Sequence, residues 1–193
     1  MSKIKSVAVF CGANSGNKPI FTESAVALID VLLERQATLV TGGGSVGLMG
    51  VMADHMLSKG GRAVGVATQA LVDIEVTHQG MSELYVTDTM AERKQKIFEL
   101  SDAFIAFPGG PGTLDEFFEI YSWGKLAYHD HPVAILNVDG YFDPLIAMLD
   151  SMVENGFIKQ VHRDMILVDT DPHALLAKCD AYVPIKEAFW IER

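Results

Sequence analysis

The sequence predicts an α/β fold, a three-layer Rossmann-like domain with a mainly parallel sheet flanked by helices. Three observations carry this. Short β-rich runs alternate with longer helical patterns from end to end, the βαβ order that gives parallel strands and right-handed crossovers. Most strand runs are unbroken apolar stretches, as expected when helices cover both sheet faces. Three of the strands end in glycine-bearing turns, at the strand edge where open α/β sheets bind ligands.

The elements follow in order. A strand over 6–11 runs into Cys11-Gly12-Ala13-Asn14-Ser15-Gly16, and a helix over 20–35 follows. A strand over 38–41 meets the turn from Gly42 to Gly50 and a helix over 48–59. A strand over 63–67 leads into 68–82, which has no clear period and reads as a loop over the site. Next come a strand over 83–86 and a helix over 90–101, opened by the capping box Thr89-Met90-Ala91-Glu92. The strand 103–107 ends in Pro108-Gly109-Gly110-Pro111-Gly112 before a helix over 114–127. Strand 133–138, helix 144–155, strand 165–168 and helix 172–181 complete the pattern. No linker, repeat or low-complexity tract interrupts it, so one domain over 1–193 is expected.

Composition narrows the function. A net charge of −10 over 193 residues argues against a nucleic-acid partner, whose surfaces need clustered Lys and Arg. No apolar run reaches the length of a membrane span. Cys11 and Cys179 sit in apolar contexts and read as small buried hydrophobes in a reducing compartment. With no signal-peptide pattern before the first strand, a cytoplasmic location is expected.

The most telling stretch is 107–116. Its glycines allow a ligand close approach, and the helix start offers free N–H groups and a positive dipole end, a place to hold a phosphate. Glu116 lies one turn inside that helix. A phosphate cradle does not need a carboxylate, so its presence suggests chemistry beside the phosphate. A purely structural job is also available: Thr113-Leu114-Asp115-Glu116 fits a capping box, with Thr113 as cap. Arg93 and Lys94 fall in the first turns of their helix, where cations are disfavoured. They are either a local rule broken for a site or two solvated surface cations.

Other motifs are weaker. Gly42, Gly44 and Gly47 spell G-x-G-x-x-G, but the next strand ends without the acidic residue a dinucleotide site wants. The Gly112-Thr113-Leu114 sequence lacks the lysine of a P-loop. His129-Asp130-His131 offers two ligands and no evident third, so no metal is expected. Leu114, Phe117, Phe118 and Tyr121 form an i, i+3, i+4, i+7 stripe that reads as core or subunit interface.

Taken together these residues resemble the LOG family, the cytokinin riboside 5′-monophosphate phosphoribohydrolases, long mislabelled as lysine decarboxylases. The signature P-G-G-x-G-T-x-x-E is met by Pro108 to Glu116, M-x-x-R-K by Met90 to Lys94, and G-G-G-x-x-G-L-M-G by Gly42 to Gly50. Further likeness lies in 101–106 and 136–142. The family's usual Thr before Trp is Ser122 here, and the variable signature position is Pro111.

The resemblance implies hydrolysis of the N-glycosidic bond of a purine nucleoside 5′-monophosphate, AMP or an N6-modified cytokinin type, to free base and ribose 5-phosphate. Arg93 and Glu116 would be the catalytic pair. Substrate contacts are expected from Glu75, Lys94, Gly110, Pro111, Gly112, Thr113, Leu114, Asp115 and Ser122, and from Gly43 and Gly44 of the second glycine turn. Glu116 would face C1′, kept ionised by the helix N-terminus, with Arg93 orienting it. No metal or organic cofactor is implied; a homodimer with sites near its interface is. A non-catalytic nucleotide sensor on the same fold is the alternative. A pyridoxal decarboxylase would need a Schiff-base lysine in an apolar setting, and the sequence offers none.

Overall fold

A computed structural model describes residues 4–74 and 76–185. Seven strands form one sheet: β1 (Ser6–Phe10), β2 (Thr38–Thr41), β3 (Ala63–Thr68), β4 (Glu83–Thr87), β5 (Ala103–Ala106), β6 (Val133–Leu136) and β7 (Ile166–Asp169). The helices are α1 (Pro19–Glu34), α2 (Gly47–Ser58), α3 (Gln69–Asp73), α4 (Met90–Glu99), α5 (Pro111–Lys125), α6 (Asp143–Glu154), α7 (Gln160–Arg163) and α8 (Pro172–Ala181). The strand order is β4-β3-β2-β1-β5-β6-β7 and every pairing is parallel.

The period-2 alternation of strands feeds two cores. Val7, Val9 and Cys11 pack on one face with Leu28, Ile29 and Leu32 of α1, Met52 and Met56 of α2, and Leu175 of α8. Ala8 and Phe10 face the other way, against Ile97 of α4, Phe117 and Ile120 of α5, and Leu149 of α6. This explains the continuous apolar strands at the centre of the sheet, where helices cover both faces; β4 at one edge is half-buried, with Val86 exposed.

The chain winds outward from β1 to β4, then returns to place β5 on the other side of β1. That reversal is the topological switch point, where open α/β sheets bind ligands at the carboxyl ends of the strands.

Differences from the expected elements are local. Residues 68–82 are not all loop: β3 runs to Thr68, α3 occupies Gln69–Asp73, and Thr77 bridges to Gly44. The segment after β6 folds as a 3-10 turn over Val138–Gly140 instead of continuing the strand. α3 and α7, of five and four residues, were not anticipated because one turn shows no period. α5 begins at Pro111, three residues before the expected start.

Candidate active site

The three glycine turns meet at the switch point. The Gly12 N–H donates to the Pro108 carbonyl at 3.0 Å, and the Leu48 N–H to the Gly12 carbonyl at 3.1 Å. The first turn is thus clasped between the other two. A Cβ on Gly109 would lie 2.6 Å from the Gly12 nitrogen, and one on Gly47 would lie 2.2 Å from the Ala13 carbonyl carbon. Gly47 also holds φ +61°, where L side chains are strained.

Between them opens a cavity of about 540 Å³, within the range of small-molecule sites. Its wall includes Asn14, Phe21, Gly42, Met49, Leu71, Met90, Arg93, Glu116, Tyr141 and the stretch from Pro108 to Thr113.

One rim is the start of α5, with Gly110 as N-cap and Pro111 at the first helical position. This corrects the capping-box expectation. Thr113 lies inside the helix, and its buried Oγ1 has no hydrogen-bond partner among the described residues. Space is open beside Gly110 and Gly112, where an added Cβ would meet nothing within 4 Å. Pro111 has no N–H and the Thr113 N–H donates to the Gly110 carbonyl at 3.1 Å, so Gly112, beside the N-cap Gly110, carries the first-turn N–H that has no intrahelical acceptor by geometry. The open space beside Gly110 and Gly112 thus borders a helix N-terminus, the kind of place that suits an anion, with the buried Thr113 hydroxyl packed behind it against Gly109.

Glu116 does not fold back on Thr113. Its Oε1 accepts from Arg93 Nη1 at 2.9 Å, and Arg93 Nε donates to the Val66 carbonyl at 2.9 Å. The side chains are 9% and 14% exposed, so this is a buried pair and not a surface one. The surface-cation alternative for Arg93 is removed. The α4 capping box is formed as expected, with Glu92 accepting from the Thr89 N–H and Thr89 Oγ1 from the Glu92 N–H, both closing α4's first turn ahead of Arg93. Gly42 makes room for the guanidinium: a Cβ there would sit 2.1 Å from Arg93 Nη2.

Burial pushes the Glu116 carboxyl above its ordinary value, and the Arg93 charge and hydrogen bond pull it back. Glu116 is the sixth residue of α5, past the first turn where the dipole acts. The group favouring its ionised form is therefore Arg93, where a helix N-terminus was expected. The Cys11 thiol, on the same wall, is raised by burial and then by Glu116, which leaves it protonated and inert.

The other expected contact residues divide. Gly110, Pro111, Gly112, Thr113 and Asp115 line the cavity. Gly43, Gly44, Lys94, Leu114 and Ser122 are not part of its wall in this chain. Gly43 donates to Thr41 Oγ1 and accepts from the His78 N–H, while Gly44 pairs with Thr77, so both brace the loop behind the site. Leu114 packs in the core with Phe117 and Tyr121. Lys94 lies 3.2 Å from Asp115 and 3.1 Å from Glu119. Burial lowers its pKa, but Glu119 and Asp115 outweigh this and leave it raised. Ser122 is exposed, two turns beyond Glu116 on α5. Glu75 lies outside the described residues.

His129 and His131 stack at 5.6 Å beside Phe98 and Phe104. His129 Nε2 faces the Ile120 carbonyl at 2.8 Å, and burial holds its pKa below the usual value. They act as core aromatics. Among the described residues no three His, Cys, Asp or Glu side chains converge. Sequence reasoning missed the apolar wall of Phe21, Leu71, Met49 and Met90, because each residue there also fits a core pattern. Tyr141 entered only within a longer likeness, without a role.

Fold and site define a Rossmann-like α/β protein with an open helix N-terminus on the rim of a cavity whose wall holds a buried Arg–Glu pair. The family model described as "Possible lysine decarboxylase" matches residues 49–179. The chain belongs to that family, whose curated relatives carry the name cytokinin riboside 5′-monophosphate phosphoribohydrolase. The chain is 44% identical over 176 residues to the rice "Probable cytokinin riboside 5′-monophosphate phosphoribohydrolase LOGL1", covering 91% of this chain and 79% of that protein. It is 39% identical to the Arabidopsis thaliana "Cytokinin riboside 5′-monophosphate phosphoribohydrolase LOG5", covering 96% and 82%. Among solved structures, the molybdenum cofactor binding protein from Rippkaea orientalis superposes with a TM-score of 0.67 at 19% identity, covering 91% and 95%. The molybdenum cofactor carrier protein of Chlamydomonas reinhardtii gives 0.66 at 19%, covering 92% and 96%. At that identity they share the fold alone. The decarboxylase description finds no chemical support, since no lysine lines the cavity among the described residues.

Proposed function

We propose that this chain hydrolyses the N-glycosidic bond of a purine nucleoside 5′-monophosphate, releasing free base and ribose 5-phosphate within a single nucleotide-binding domain. The observation that carries this is the buried Arg93–Glu116 pair on the wall of a cavity rimmed by the open α5 N-terminus. The names of the relatives support the same reaction.

In this reading the 5′-phosphate rests on Gly110, Gly112 and Thr113, and its binding energy positions the sugar. Cleavage passes through an oxocarbenium-like state with positive charge at C1′. The Glu116 carboxylate faces that carbon, stabilises the growing charge and orients the attacking water. Water oxygen bonds to C1′ as the C1′–N9 bond breaks, and the released proton passes to the departing base. Arg93 fixes the carboxylate's orientation and offsets its repulsion with the phosphate. The apolar wall of Phe21, Leu71, Met49 and Met90 suits a purine and an apolar N6 substituent. No step needs a metal or an organic cofactor.

The setting is read as cytoplasmic: both cysteines are free and buried, and burial pushes Cys179 to about 12. No helix among the described residues is long and apolar enough to cross a membrane. A homodimer is part of the reading, with Lys94 and Ser122, off the cavity wall here, turned to the subunit interface. The test is incubation with AMP and N6-modified AMPs, followed by chromatography for free base. Binding without base release would instead support a sensor.

A further inference from the structure

We propose that Tyr141 is a positioning residue for the phosphate rim, acting through the Gly109–Gly110 peptide. The Tyr141 hydroxyl donates to the Gly109 carbonyl at 2.5 Å. In a planar trans peptide the C=O and the following N–H point in opposite directions. Fixing the Gly109 oxygen therefore fixes the direction of the Gly110 N–H, the helix-cap donor beside the open space. The bond also polarises that amide, which makes its N–H a stronger donor.

The local fold is built to deliver this side chain. Asp139 holds φ 52°, ψ 32°, and Gly140 holds φ +69°, two successive left-handed residues in the turn that ends at Tyr141. A non-glycine residue in that region persists only where its surroundings enforce it. Here they do: Lys18 pairs with Asp139, Asn137 Nδ2 donates to Asp143 at 2.7 Å, and the Phe142 N–H donates to Asn137 Oδ1 at 2.8 Å. Phe142 is buried as an anchor while Tyr141, 44% exposed, turns into the cavity with its ring edge-on to Phe21 at 5.8 Å. A surface tyrosine with only a packing job has no need of a strained turn or of a hydroxyl bond to the anion rim.

This inference rests on the phosphate-binding reading above, and the test separates the two. Tyr141→Phe keeps the ring and removes the hydroxyl. Binding of ribose 5-phosphate, inorganic phosphate and adenine would be measured on the full-length wild type and variant, together with AMP kinetics. The expected result is a loss of about two- to tenfold in affinity for the two phosphate ligands, the scale of one neutral hydrogen bond. KM for AMP rises in step, kcat changes less, and adenine binding stays at the wild-type value. Unchanged phosphate affinity, or an equal loss for adenine, overturns the positioning role. A wild-type protein that binds neither phosphate ligand nor AMP overturns the phosphate-binding reading and this inference with it.

Discussion

Arg93 sits where a cation is disfavoured, near the start of α4, and is buried besides. Its cost is offset by two oxygens at 2.9 Å, the Val66 carbonyl and the Glu116 carboxylate. Arg93→Lys keeps the charge but not the fork, so it should lower turnover far more than a surface Arg-to-Lys change. Activity like the wild type's would show that the planar contact is idle. Gly42→Ala puts a methyl 2.1 Å from Arg93 Nη2 and should displace the guanidinium from Glu116. A misplacement of that size can cost up to about 100-fold in turnover, while the melting temperature moves modestly; normal kinetics would refute the arrangement. The pH profile follows from Glu116. Burial raises its pKa, so protonation removes the working carboxylate at a pH above the ordinary glutamate value of about 4.3. Activity should therefore fall on the acid side with a midpoint above that value. A midpoint at or below it would contradict a buried carboxylate.

At the level of elements, the α5 N-terminus separates what the sequence made legible from what it did not. Strand 103–107 followed by a glycine turn and a helix was readable from an apolar run meeting three glycines. The start of the helix was not, because Thr-x-x-Glu fits a capping box as well as it fits an interior turn, and only tertiary contact decides. The decision came from Arg93, 23 residues away in sequence, which took Glu116 out of local service. Thr113→Val tests the result. Were Thr113 a cap, the change would cost about 1 kcal/mol. With its buried Oγ1 unpartnered, it should leave the free protein as stable or more so, yet weaken ribose 5-phosphate binding. A clear fall in thermal stability would restore the cap. Lys94, next to Arg93, takes a different direction, as successive helix residues do, and meets Asp115 and Glu119.

For the whole molecule, the strand order decides where chemistry can occur. Winding out to β4 and returning beside β1 opens one crevice, and all three glycine turns fall on it. That much follows from alternating elements and turn positions, since parallel α/β sheets have few permitted topologies. The cavity's apolar wall did not follow, because Phe21, Met49, Leu71 and Met90 come from four separate helices with no shared motif. A chain with net charge −10 must concentrate positive potential locally to hold an anion, and Arg93 and the α5 N-terminus are the groups on the cavity wall that could supply it. Light scattering should give about twice the 21.0 kDa chain mass, and a single-chain mass would remove the dimer from the reading. The central claim is that Glu116 stands opposite C1′ as a working carboxylate. Its most direct test is the rate of free-base release from AMP by the wild type and by Glu116→Gln at equal folded concentration. The wild type should release base and ribose 5-phosphate in equal amounts, with the variant at least about 100-fold slower. Near-normal base release by Glu116→Gln would contradict the claim.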